Sequence, residues 1–371
     1  MQIHSLKLQN FRSYKKLNIK LGKNTILVGA NAQGKTNLLE AIYLTSVGKS
    51  FRGKECDMVF WDETFFRIEA ESENAKPIKI EYIYEANAGS GRKTVKINGV
   101  KKASSALLDG LKCIFFSPDE TDMFFGFPAE RRRHFNIFIS QINKEYAREL
   151  INYRKVLEHR NALLRKIGEG RAKAGELEIW DGKLAEHSSK IISERRKAAD
   201  GLNKTLAGDY KKVAGGKEDL MLEYSPAVWG GKDGKTGEDF WAIMLKTLIK
   251  SREKDLALKA TTAGPHRDGF AFRLQGKNAE TFASRGELRS VILALKLSEA
   301  MLLEEKTRER PVLLLDDVFS ELDELRRRHL AKTFNSQQTI VTTTDLDHID
   351  KSLRKTALIY KIESGKAEKV S

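Results

Sequence analysis

The residues with the most definite chemistry form a glycine-containing loop near the start of the chain. The loop fits the pattern G-x-x-x-x-G-K-[ST] and reads Gly29-Ala30-Asn31-Ala32-Gln33-Gly34-Lys35-Thr36. An apolar run at residues 25–28 precedes it, and a helix-forming run at residues 37–44 follows. In that order, the N–H groups of the turn and the positive end of the helix converge on one anion. A chance match is the alternative, but the strand–loop–helix order favours a nucleotide-binding site.

Two side chains of this loop have separate predicted roles. Lys35 is placed to reach the β- and γ-phosphates of a nucleotide, and the Thr36 hydroxyl is placed to hold Mg²⁺. Asn37 follows directly and is assigned to the same site. These residues predict binding, and the reaction must be inferred from the rest of the chain.

A second candidate for nucleotide chemistry is the pair Asp316 and Asp317. The pair ends an apolar, strand-forming run at residues 311–315. At the end of such a strand Asp316 can hold Mg²⁺, while Asp317 can orient or deprotonate the attacking water. An aspartate that only caps the strand is the alternative. Downstream of a complete phosphate-binding loop, the catalytic interpretation is favoured.

A third candidate precedes the amphipathic helix predicted over residues 288–305. Ser284, Gly286 and Glu287 form an S-x-G-E pattern at its start. A hydroxyl, exposed backbone N–H groups and a helix dipole make an anion site there. Taken alone, the pattern predicts an ordinary helix cap. Because the pattern lies upstream of the Asp316–Asp317 pair, its interpretation as an anion site is also kept.

The composition favours a globular protein with an anionic partner. The chain has 371 residues, 40% of them hydrophobic, a formal net charge of +15 and a pI of about 9.5. This charge favours nucleic acid over a membrane as partner, although a basic pI can also serve solubility alone. Cys56 and Cys113 lack metal-ligand spacing, which predicts reduced thiols. Residues 1–7 lack a signal-peptide core, and no apolar run approaches ~18 residues, so we expect a cytoplasmic protein without a membrane segment.

The middle of the chain predicts a helical lobe. Apolar residues spaced three and four apart predict one long amphipathic helix over residues 128–167. A second apolar stripe at residues 180–206 predicts its antiparallel partner. Residues 128–217 hold 21 Lys and Arg against 12 Asp and Glu, a net charge of +9. This charge, which includes the Arg131-Arg132-Arg133 run, favours contact with a phosphate backbone, and a solvated helical face is the alternative.

The order of these motifs resembles that of the ABC-type ATPase superfamily. Ser320-Glu321-Leu322-Asp323, after the aspartate pair, is similar to that superfamily's D-loop. The helical insertion between the two nucleotide motifs resembles the SMC-like branch and, more narrowly, the bacterial RecF family. The stretches that carry this last resemblance are Gly34 to Tyr43, Phe116-Ser117-Pro118-Asp119, Arg131-Arg132-Arg133, Tyr153 to Asn161, Thr262 to Asp268, Phe282-Ala283-Ser284 and Ala294 to Ala300. They cover nearly the whole length of the chain.

The resemblance implies an α/β fold with two parts. One is an ABC-type ATPase head, a mixed sheet with flanking helices, and the other is an inserted, mostly helical second domain. The expected boundaries are 1–125 for the N-terminal part of the head, 126–247 for the inserted lobe and 248–371 for the C-terminal part of the head. The His266-Arg267-Asp268 loop is expected to be either a structural network or a functional interface.

The resemblance also implies that ATP is shared between two copies of the chain and holds a dimer together. Lys35 and Thr36 of one copy would face Ser284 and Gly286 of the other. Arg12 lies in Phe11-Arg12-Ser13-Tyr14, which is similar to a stretch of SMC-like heads whose basic residue faces the nucleotide phosphates. A surface arginine is the alternative for this position.

The implied function is a DNA-repair factor that dimerises on ATP with Mg²⁺. It would bind gapped duplex and single-stranded DNA and act with RecR and RecO to load RecA. Hydrolysis should be slow, because Asp317 stands where the wider superfamily has glutamate. In addition, residues 342–345 hold no histidine after the next predicted strand. A transporter-type ATPase subunit is the rival that the basic insert disfavours, and a DNA-binding protein with a decayed ATP site is the rival that the intact motifs disfavour.

Overall fold

The computed structural model of the chain describes residues 2–370, apart from 74–76, 88–89, 217–218, 229–238, 321, 323–325, 328–329 and 331–336. The backbone packs into two compact units. The first unit comprises Met1–Thr121, Asp209–Gly216 and Arg289–Ser371, and the second comprises Asp122–Gly208 and Lys217–Leu288. The first unit therefore contains both the phosphate-binding loop and the aspartate pair.

An antiparallel sheet of the first unit is built from the N-terminal part of the chain. Its strands are β1 (Gln2–Phe11), β2 (Tyr14–Lys20), β4 (Phe65–Glu73), β5 (Pro77–Asn87), β6 (Ser90–Ile97) and β7 (Val100–Lys102), in the order β2-β1-β4-β5-β6-β7. Buried and exposed residues alternate along β1 and β2, as in a sheet with one face toward the core. An Asn-Gly hairpin turn, a pair typical of such turns, connects β6 and β7, and Asn98 and Gly99 have φ angles of 50° and 79°.

A second sheet of the first unit carries the nucleotide motifs. Its strands are β3 (Asn24–Val28), β8 (Cys113–Phe116), β12 (Val312–Asp316), β13 (Thr339–Thr343), β14 (Leu358–Glu363) and β15 (Lys366–Lys369), in the order β15-β14-β3-β13-β12-β8. Neighbouring strands from β14 to β8 are parallel, and β15 is antiparallel to β14. Because parallel strands end at one edge of a sheet, the residues after β3, β12 and β13 meet there.

Helices flank this mixed sheet. They include α1 (Lys35–Val47), α10 (Lys351–Thr356) and the part of α9 (Arg285–Thr307) from Arg289 onward. Strands such as β8 and β12 are apolar and buried along nearly their whole length, as in parallel sheets covered on both faces. The predicted α/β class with a mixed sheet is confirmed.

The second unit is mostly helical, as predicted. Its helices are α2 (Glu120–Gly126), which begins in the first unit, α3 (Pro128–Ile142), α4 (Lys144–Gly168), α5 (Leu177–Ala214), α6 (Phe240–Lys250), α7 (Arg252–Leu258) and the short α8 (Ala279–Phe282). The antiparallel pairing of α4 with α5 is confirmed by contacts in reversed order: Tyr146 with Arg195 at 3.0 Å, and Arg160 with Asp181 at 2.7 Å.

The single long helix expected over residues 128–167 is wrong. Asn143 has extended backbone angles, φ −136° and ψ 105°, and separates α3 from α4. Its side chain accepts a hydrogen bond from the N–H of Glu145 at 2.9 Å, so it caps the start of α4. The apolar spacing did not reveal the break, because both helices keep the helical period on either side of it.

The division into units also differs from the expected boundaries at residues 125 and 247. Residues 248–288 pack with the second unit, because a three-stranded sheet joins them to it. In that sheet β10 (Gly269–Leu274) pairs with both β9 (Leu220–Ser225) and β11 (Lys277–Asn278). In addition, Arg160 of α4 binds Asp255 of α7 at 2.7 Å.

Two further expectations concern the cysteines and membrane-spanning helices. Cys56 and Cys113 form no disulfide. Among the residues that the structure describes, no helix is both long and apolar enough to cross a membrane.

Candidate functional site

The phosphate-binding loop connects β3 to α1 at residues 29–34. Two of its glycines lie against other chain segments. A Cβ atom on Gly29 would lie 2.3 Å from the carbonyl oxygen of Ile362, and one on Gly34, whose φ is +105°, would lie 2.6 Å from Ser13 Oγ. Ala30, Asn31 and Ala32 are exposed at the tip of the loop. The close approaches fix the path of the loop at the N-terminus of α1, where backbone N–H groups favour an anion.

Lys35 folds back over the loop that precedes it. Its Nζ donates to the carbonyl oxygens of Gly29 at 2.7 Å and Ala30 at 2.8 Å, and the residue is buried. Burial lowers the pKa of Lys35, while the negative charges of Asp317 and Asp316 act to raise it. A phosphate at the loop would offer this ammonium a charged acceptor in place of two neutral carbonyls, and such hydrogen bonds are stronger.

Thr36 and Asp316 are in contact although 280 positions separate them. Thr36 Oγ1 donates to Asp316 Oδ1 at 2.9 Å, and Thr342 Oγ1 donates to the same oxygen at 2.6 Å. Thr342 lies opposite Asp316 in the parallel pairing of β12 with β13. Burial raises the pKa of Asp316, and the hydrogen bonds from Thr342 and Thr36 act against that rise. The structure thus brings the two predicted motifs into one site.

Asp317 turns the chain away from the end of β12. Its φ is +51°, a left-handed conformation that is uncommon for residues other than glycine. The N–H of Asp317 donates to Thr342, at 3.2 Å to the carbonyl oxygen and at 2.9 Å to Oγ1. The carbonyl oxygen of Asp317 accepts a hydrogen bond from Ser320 Oγ at 2.7 Å. Its carboxylate Oδ1 is buried and has no hydrogen-bond partner within the described chain. A buried acceptor of this kind costs about 1–3 kcal/mol, so the oxygen is suited to accept from a water or a ligand.

The oxygens of Thr36 and Asp316 fit a hard divalent cation. Mg²⁺ takes oxygen ligands and is commonly held by one or two protein groups together with substrate phosphates. Across the described ranges, no group of three or more His, Cys, Asp or Glu could hold a metal by itself. The donor set therefore suits Mg²⁺ that arrives with a nucleotide.

Arg12 binds a buried carboxylate of α1. Its Nε and Nη2 donate to the two oxygens of Glu40 at 2.8 and 2.9 Å, and its Nη1 donates to the carbonyl oxygen of Asp57 at 2.7 Å. Glu40 is fully buried and also accepts from Ser50 at 2.5 Å and Arg52 at 2.9 Å. Burial acts to raise the pKa of Glu40, but these hydrogen bonds outweigh it and hold the pKa below its ordinary value.

Asn37 connects this cluster to the phosphate-binding loop. Its Oδ1 accepts from Arg52 at 2.6 Å, and its Nδ2 donates to Ser13 Oγ at 3.0 Å. The contact of Arg12 with nucleotide phosphates stays a prediction, because protein acceptors engage its guanidinium here. Sequence reasoning missed Glu40 as the centre of the cluster, and the signal was an acidic residue inside an otherwise apolar stretch of helix.

Two turns outside the motif hold the loop. The hydroxyl of Tyr14 donates to the carbonyl oxygen of Gly34 at 3.0 Å, and the N–H of Ser364 donates to Gln33 Oε1 at 2.7 Å. Sequence reasoning missed both contacts. No local pattern marks Ser364, which lies 331 positions from Gln33 along the chain.

The S-x-G-E pattern caps α9 and belongs to the second unit. The N–H of Ser284 donates to Glu287 at 2.7 Å, and the N–H of Glu287 donates to Ser284 Oγ at 3.3 Å, a reciprocal capping box. Ser284 and Gly286 are exposed, and a Cβ atom on Gly286 would meet no atom within 4 Å. A role toward a nucleotide on another copy stays a prediction. In the D-loop pattern, Glu321 and Asp323 lie outside the described residues.

The arginine run at the start of α3 is engaged within the second unit. Arg131 is buried and its Nη1 donates to Glu280 at 2.9 Å. Arg132 donates to the carbonyl oxygen of Asp268 at 3.1 Å, and Arg133 pairs with an acid of its own helix. Arg131 therefore has a structural role, and phosphate contact by this run stays a prediction.

The His266-Arg267-Asp268 loop takes part in a buried polar network. Asp268 is fully buried and accepts from Arg195 at 2.7 Å and from the hydroxyl of Tyr224. His266 forms a 2.5 Å hydrogen bond with the Tyr153 hydroxyl and a 3.1 Å hydrogen bond with the carbonyl oxygen of Thr261. The structural interpretation of this loop is the one that its contacts support.

Comparison with known proteins places this site in a family. A family model described as RecF/RecN/SMC N terminal domain matches residues 2–368. Curated relatives named DNA replication and repair protein RecF include one from Agathobacter rectalis, 38% identical with 99% of each chain covered. Another, from Lachnoclostridium phytofermentans, is 36% identical with 100% of each chain covered.

Solved structures agree with these relatives. One described as "Structure of the recombination mediator protein RecF-ATPrS in RecFOR pathway" is 34% identical, has a TM-score of 0.90 and covers 100% of this chain and 98% of its own. The Smc head domain of Pyrococcus furiosus, 16% identical with a TM-score of 0.53 over 99% of this chain and 95% of its own, shares the fold alone. The expected SMC-like ATPase head is thereby confirmed. Because the family model and the relatives cover the whole length, the chain belongs to the RecF family.

Proposed function

We propose that the chain binds ATP with Mg²⁺ at the loop between β3 and α1 and hydrolyses it slowly. The observation that carries this proposal is the hydrogen bond of 2.9 Å between Thr36 and Asp316 beside Lys35. Lys35 exchanges its two carbonyl acceptors for the β- and γ-phosphates. Thr36 and Asp316 hold Mg²⁺, which when bound neutralises negative charge on the phosphates.

The remaining residues of the site position the triphosphate and the attacking water. The loop residues are Gly29, Ala30, Asn31, Ala32, Gln33, Gly34 and Asn37, and their backbone N–H groups surround the phosphates. Asp317 accepts a proton or a hydrogen bond from the water through its buried, unpaired Oδ1. Arg12 faces the phosphates of the bound ATP.

We further propose that the site is completed by a second copy of the chain. Ser284 and Gly286, exposed at the start of α9, cap the γ-phosphate held by Lys35 of the partner. ATP then makes the dimer, and hydrolysis reverses it. In this dimer the first unit, with the mixed sheet, is the ATPase head, and the second, mostly helical unit is the inserted domain.

The biological role proposed here follows the family. The relatives are named DNA replication and repair proteins, and a solved relative is described as a recombination mediator in the RecFOR pathway. We propose that the dimer binds gapped and single-stranded DNA in the cytoplasm and, with RecO and RecR, promotes loading of RecA. The net charge of +15 supports a polyanionic partner.

The mass in solution tests the shared site. By light scattering, ATP with Mg²⁺ should double the mass of the 42.0 kDa chain, and ADP should not. Lys35→Ala should stay monomeric with ATP, whereas the control Lys101→Ala, exposed in β7, should dimerise. The measurement is then repeated with gapped, duplex and single-stranded DNA. A chain that binds ATP and stays monomeric under every condition would rule out the shared site.

Arg12→Ala tests the assignment of this arginine to the nucleotide. The variant should bind ATP about tenfold more weakly, since a hydrogen bond between charged groups contributes roughly 1.5–3 kcal/mol. It also leaves the buried Glu40 with fewer donors, so its Tm should fall. Calorimetric titration with ATP at a temperature where the variant is folded separates the two effects. An unchanged ATP affinity would leave Arg12 with its structural role alone.

A further inference from the structure

A groove crosses the solvent face of the antiparallel sheet, far along the chain from the arginine run of α3. It has a volume of about 780 Å³ and lies over β1, β2 and the start of β4. We propose that this groove binds single-stranded nucleic acid, with Trp61 stacking on a base and lysines contacting the phosphates. The inference rests on the proposed DNA function and gives it a location within the first unit.

The floor of the groove follows from the alternation of the strands. On β1 and β2, Leu6, Leu8, Leu17 and Ile19 are buried, so the residues between them face solvent. The register then sets the outward residues side by side. Lys7 lies opposite Asn18 on one side and Glu69 on the other, and Gln9 lies opposite Lys16 and Arg67 in the same way. One row across the three strands therefore holds an amide, a cation and a carboxylate, and the next holds a cation, an amide and a second cation.

The charge of the groove is positive. Its charged lining residues are Lys7, Lys15, Lys16, Arg67, Glu63 and Glu69. Both acids have partners: Glu69 accepts from Lys79 at 2.8 Å and Arg67 at 3.0 Å, and Glu63 accepts from Asn10 at 3.0 Å. Lys7 and Lys16, in contrast, are exposed and form no ion pair within 4 Å in the described part of the chain, although the charge of Lys7 acts to lower the pKa of Glu69. They are available to neutralise phosphates.

One hydrogen-bond donor in the groove wall has no acceptor among the described residues. Arg67 uses Nη2 for Glu69 and Glu81, but its Nε is buried and has no hydrogen-bond partner among the described residues. Buried donors are nearly always paired in folded proteins. Arg67 Nε is closed to solvent, so a ligand in the groove can reach only the exposed part of the guanidinium, whose side chain is 38% exposed.

An exposed aromatic residue, Trp61, lies in a turn beside the groove and is not itself one of the lining residues. Trp61 is 83% exposed, the largest exposure among the large hydrophobic residues of the described chain. It lies at the tip of a turn closed by the hydrogen bond from Glu63 N to Phe60 O at 3.1 Å. Asn10, which lines the groove, accepts from the N–H of Phe60 at 2.9 Å and donates to Glu63 at 3.0 Å. The turn is therefore fixed to the groove, and its indole is held in water at a hydrophobic cost.

Basic grooves with aromatic platforms are typical of single-stranded nucleic acid sites. Successive bases stack on the rings while the backbone follows the cations. Phe65, half-buried in the lining, provides a second ring. In a duplex the bases already stack on one another, so an exposed indole gains little there. The combination of Trp61 with unpaired lysines thus favours a single strand.

The experiment titrates a short labelled oligo-dT with the full chain in the presence of ATP and Mg²⁺. Trp61→Ala should weaken binding about 5- to 100-fold, the range for loss of one base–aromatic stack. The pair Lys7→Glu and Lys16→Glu should weaken it further and reduce its dependence on salt. All three positions are exposed, so the variants should fold.

Matched controls separate the groove from general effects of charge and of tryptophan. Lys101→Glu with Lys102→Glu makes the same charge change on β7, at the opposite edge of the same sheet. Trp241→Ala removes another exposed tryptophan, on α6. Both should bind oligo-dT like the wild type. Trp61→Phe should keep most of the affinity but lose the quenching of tryptophan fluorescence that oligo-dT causes.

The outcomes distinguish this inference from the function on which it rests. ATP-dependent doubling of mass should persist in every groove variant. If the wild type binds oligo-dT and the Trp61 and lysine variants bind it equally well, the groove assignment is wrong while the DNA function stands. If the wild type binds no oligo-dT, or if the variants lose only duplex binding, the single-strand assignment is overturned. If only association with another protein is lost, the groove is a protein interface.

Discussion

Asp316 and Asp317 are neighbours in the chain with different surroundings. Asp316 receives hydrogen bonds from Thr36 and Thr342 on one oxygen, and burial still raises its pKa. Asp317 leaves a buried carboxylate oxygen without a hydrogen bond in the described chain. Each aspartate therefore destabilises the nucleotide-free protein, and a bound Mg²⁺–nucleotide would relieve that cost. Such a conflict between stability and function is common at active sites.

Asp316→Asn should stabilise the nucleotide-free protein at neutral pH and abolish Mg²⁺-dependent hydrolysis. Both hydroxyls donate to Oδ1, which an asparagine carbonyl replaces, and the amide carries no charge to desolvate. Because the folded-state pKa of Asp316 is raised, its carboxyl group costs no stability below its ordinary pKa of 3.8. The cost appears as the pH rises through the folded-state pKa. In EDTA, the variant should have the higher Tm at pH 7 and the wild-type Tm below pH 3.8.

The control for this measurement is Asp200→Asn, at an exposed position of α5. It should change the Tm little at either pH. A lower Tm for Asp316→Asn at pH 7, or an advantage that grows on acidification, would contradict the burial argument.

At the residue scale, local patterns predicted the groups that the structure brings together at the phosphate-binding loop. Lys35, Thr36 and Asp316 stand at fixed offsets from a strand or a turn, and those offsets are visible in sequence. Thr342 and Glu40 were not predicted. Thr342 reaches Asp316 only through the register of two strands, and the donors around Glu40 come from two separate segments, one with Arg12 and one with Ser50 and Arg52.

At the scale of elements, the phosphate-binding loop depends on two hairpin turns. In the β1–β2 hairpin, Tyr14 directly follows the turn as the first residue of β2, and its hydroxyl donates to the carbonyl oxygen of Gly34. The turn between β14 and β15 supplies Ser364, which binds Gln33. The two turns also touch, because a Cβ atom on Gly365 would lie 2.2 Å from the carbonyl oxygen of Ser13. The C-terminal hairpin therefore braces a loop formed more than three hundred residues earlier.

Gly365→Ala should weaken ATP binding by roughly tenfold, because even small displacements of a binding group are costly. The added methyl group must push the turn away from Ser13. This movement also shifts Ser364 away from Gln33 and weakens the hydrogen bond between them. Gly99→Ala is the matched control. Its φ of +79° is close to the +72° of Gly365, but a Cβ atom there meets nothing within 4 Å. Both variants should lose about 1–2 kcal/mol of stability from backbone strain, and only Gly365→Ala should lose ATP affinity by calorimetric titration.

Equal ATP affinities in the two glycine variants would show that the C-terminal hairpin does not brace the loop. Tyr14→Phe gives an independent check, since it removes the hydroxyl that binds Gly34 and leaves the ring. It should lower ATP affinity in the same direction as Gly365→Ala.

Element boundaries were harder to predict than element types. The helical stripes and the helix after Ser284 were found from periodicity, and the strand before the phosphate-binding loop was found from its continuous apolar run. The break at Asn143 was missed, since periodicity registers which face is apolar and not whether the chain continues straight. The assignment of residues 248–288 was missed because the pairing of β10 with β9 joins strands more than forty residues apart.

At the scale of the whole molecule, slow hydrolysis would set the lifetime of an ATP-bridged dimer. Thr343 Oγ1 and the N–H of Asp345 form hydrogen bonds within the turn after β13, where the sequence has no histidine. The turnover of ATP should therefore lie below the usual range of ~1–10³ s⁻¹. Asp317→Asn should lower it by about 100-fold or more, since it removes the base. In single-turnover assays the ATP-induced dimer of this variant should outlive that of the wild type, and an equal lifetime would uncouple hydrolysis from dissociation.

The two halves of the proposed site lie in different compact units of one chain, Lys35 in the first and Ser284 in the second. Mixing two inactive variants therefore tests whether the halves come from different copies. Lys35→Ala has no working loop but an intact Ser284, and Ser284→Ala has the reverse. In a two-fold dimer, a mixed pair contains one site with both residues and one with neither.

An equal mixture of the two variants should recover up to about half of the wild-type ATPase rate, because neither variant pairs with itself on ATP and each mixed pair has one complete site of two. ATP should also induce the mixed dimer, which tagging one variant and capturing it would detect. The cap that Ser284 provides for α9 is lost equally in the variant alone and in the mixture, so loss of helix stability cannot mimic recovery. If the site were built within one chain, the mixture would be as inactive as its parts.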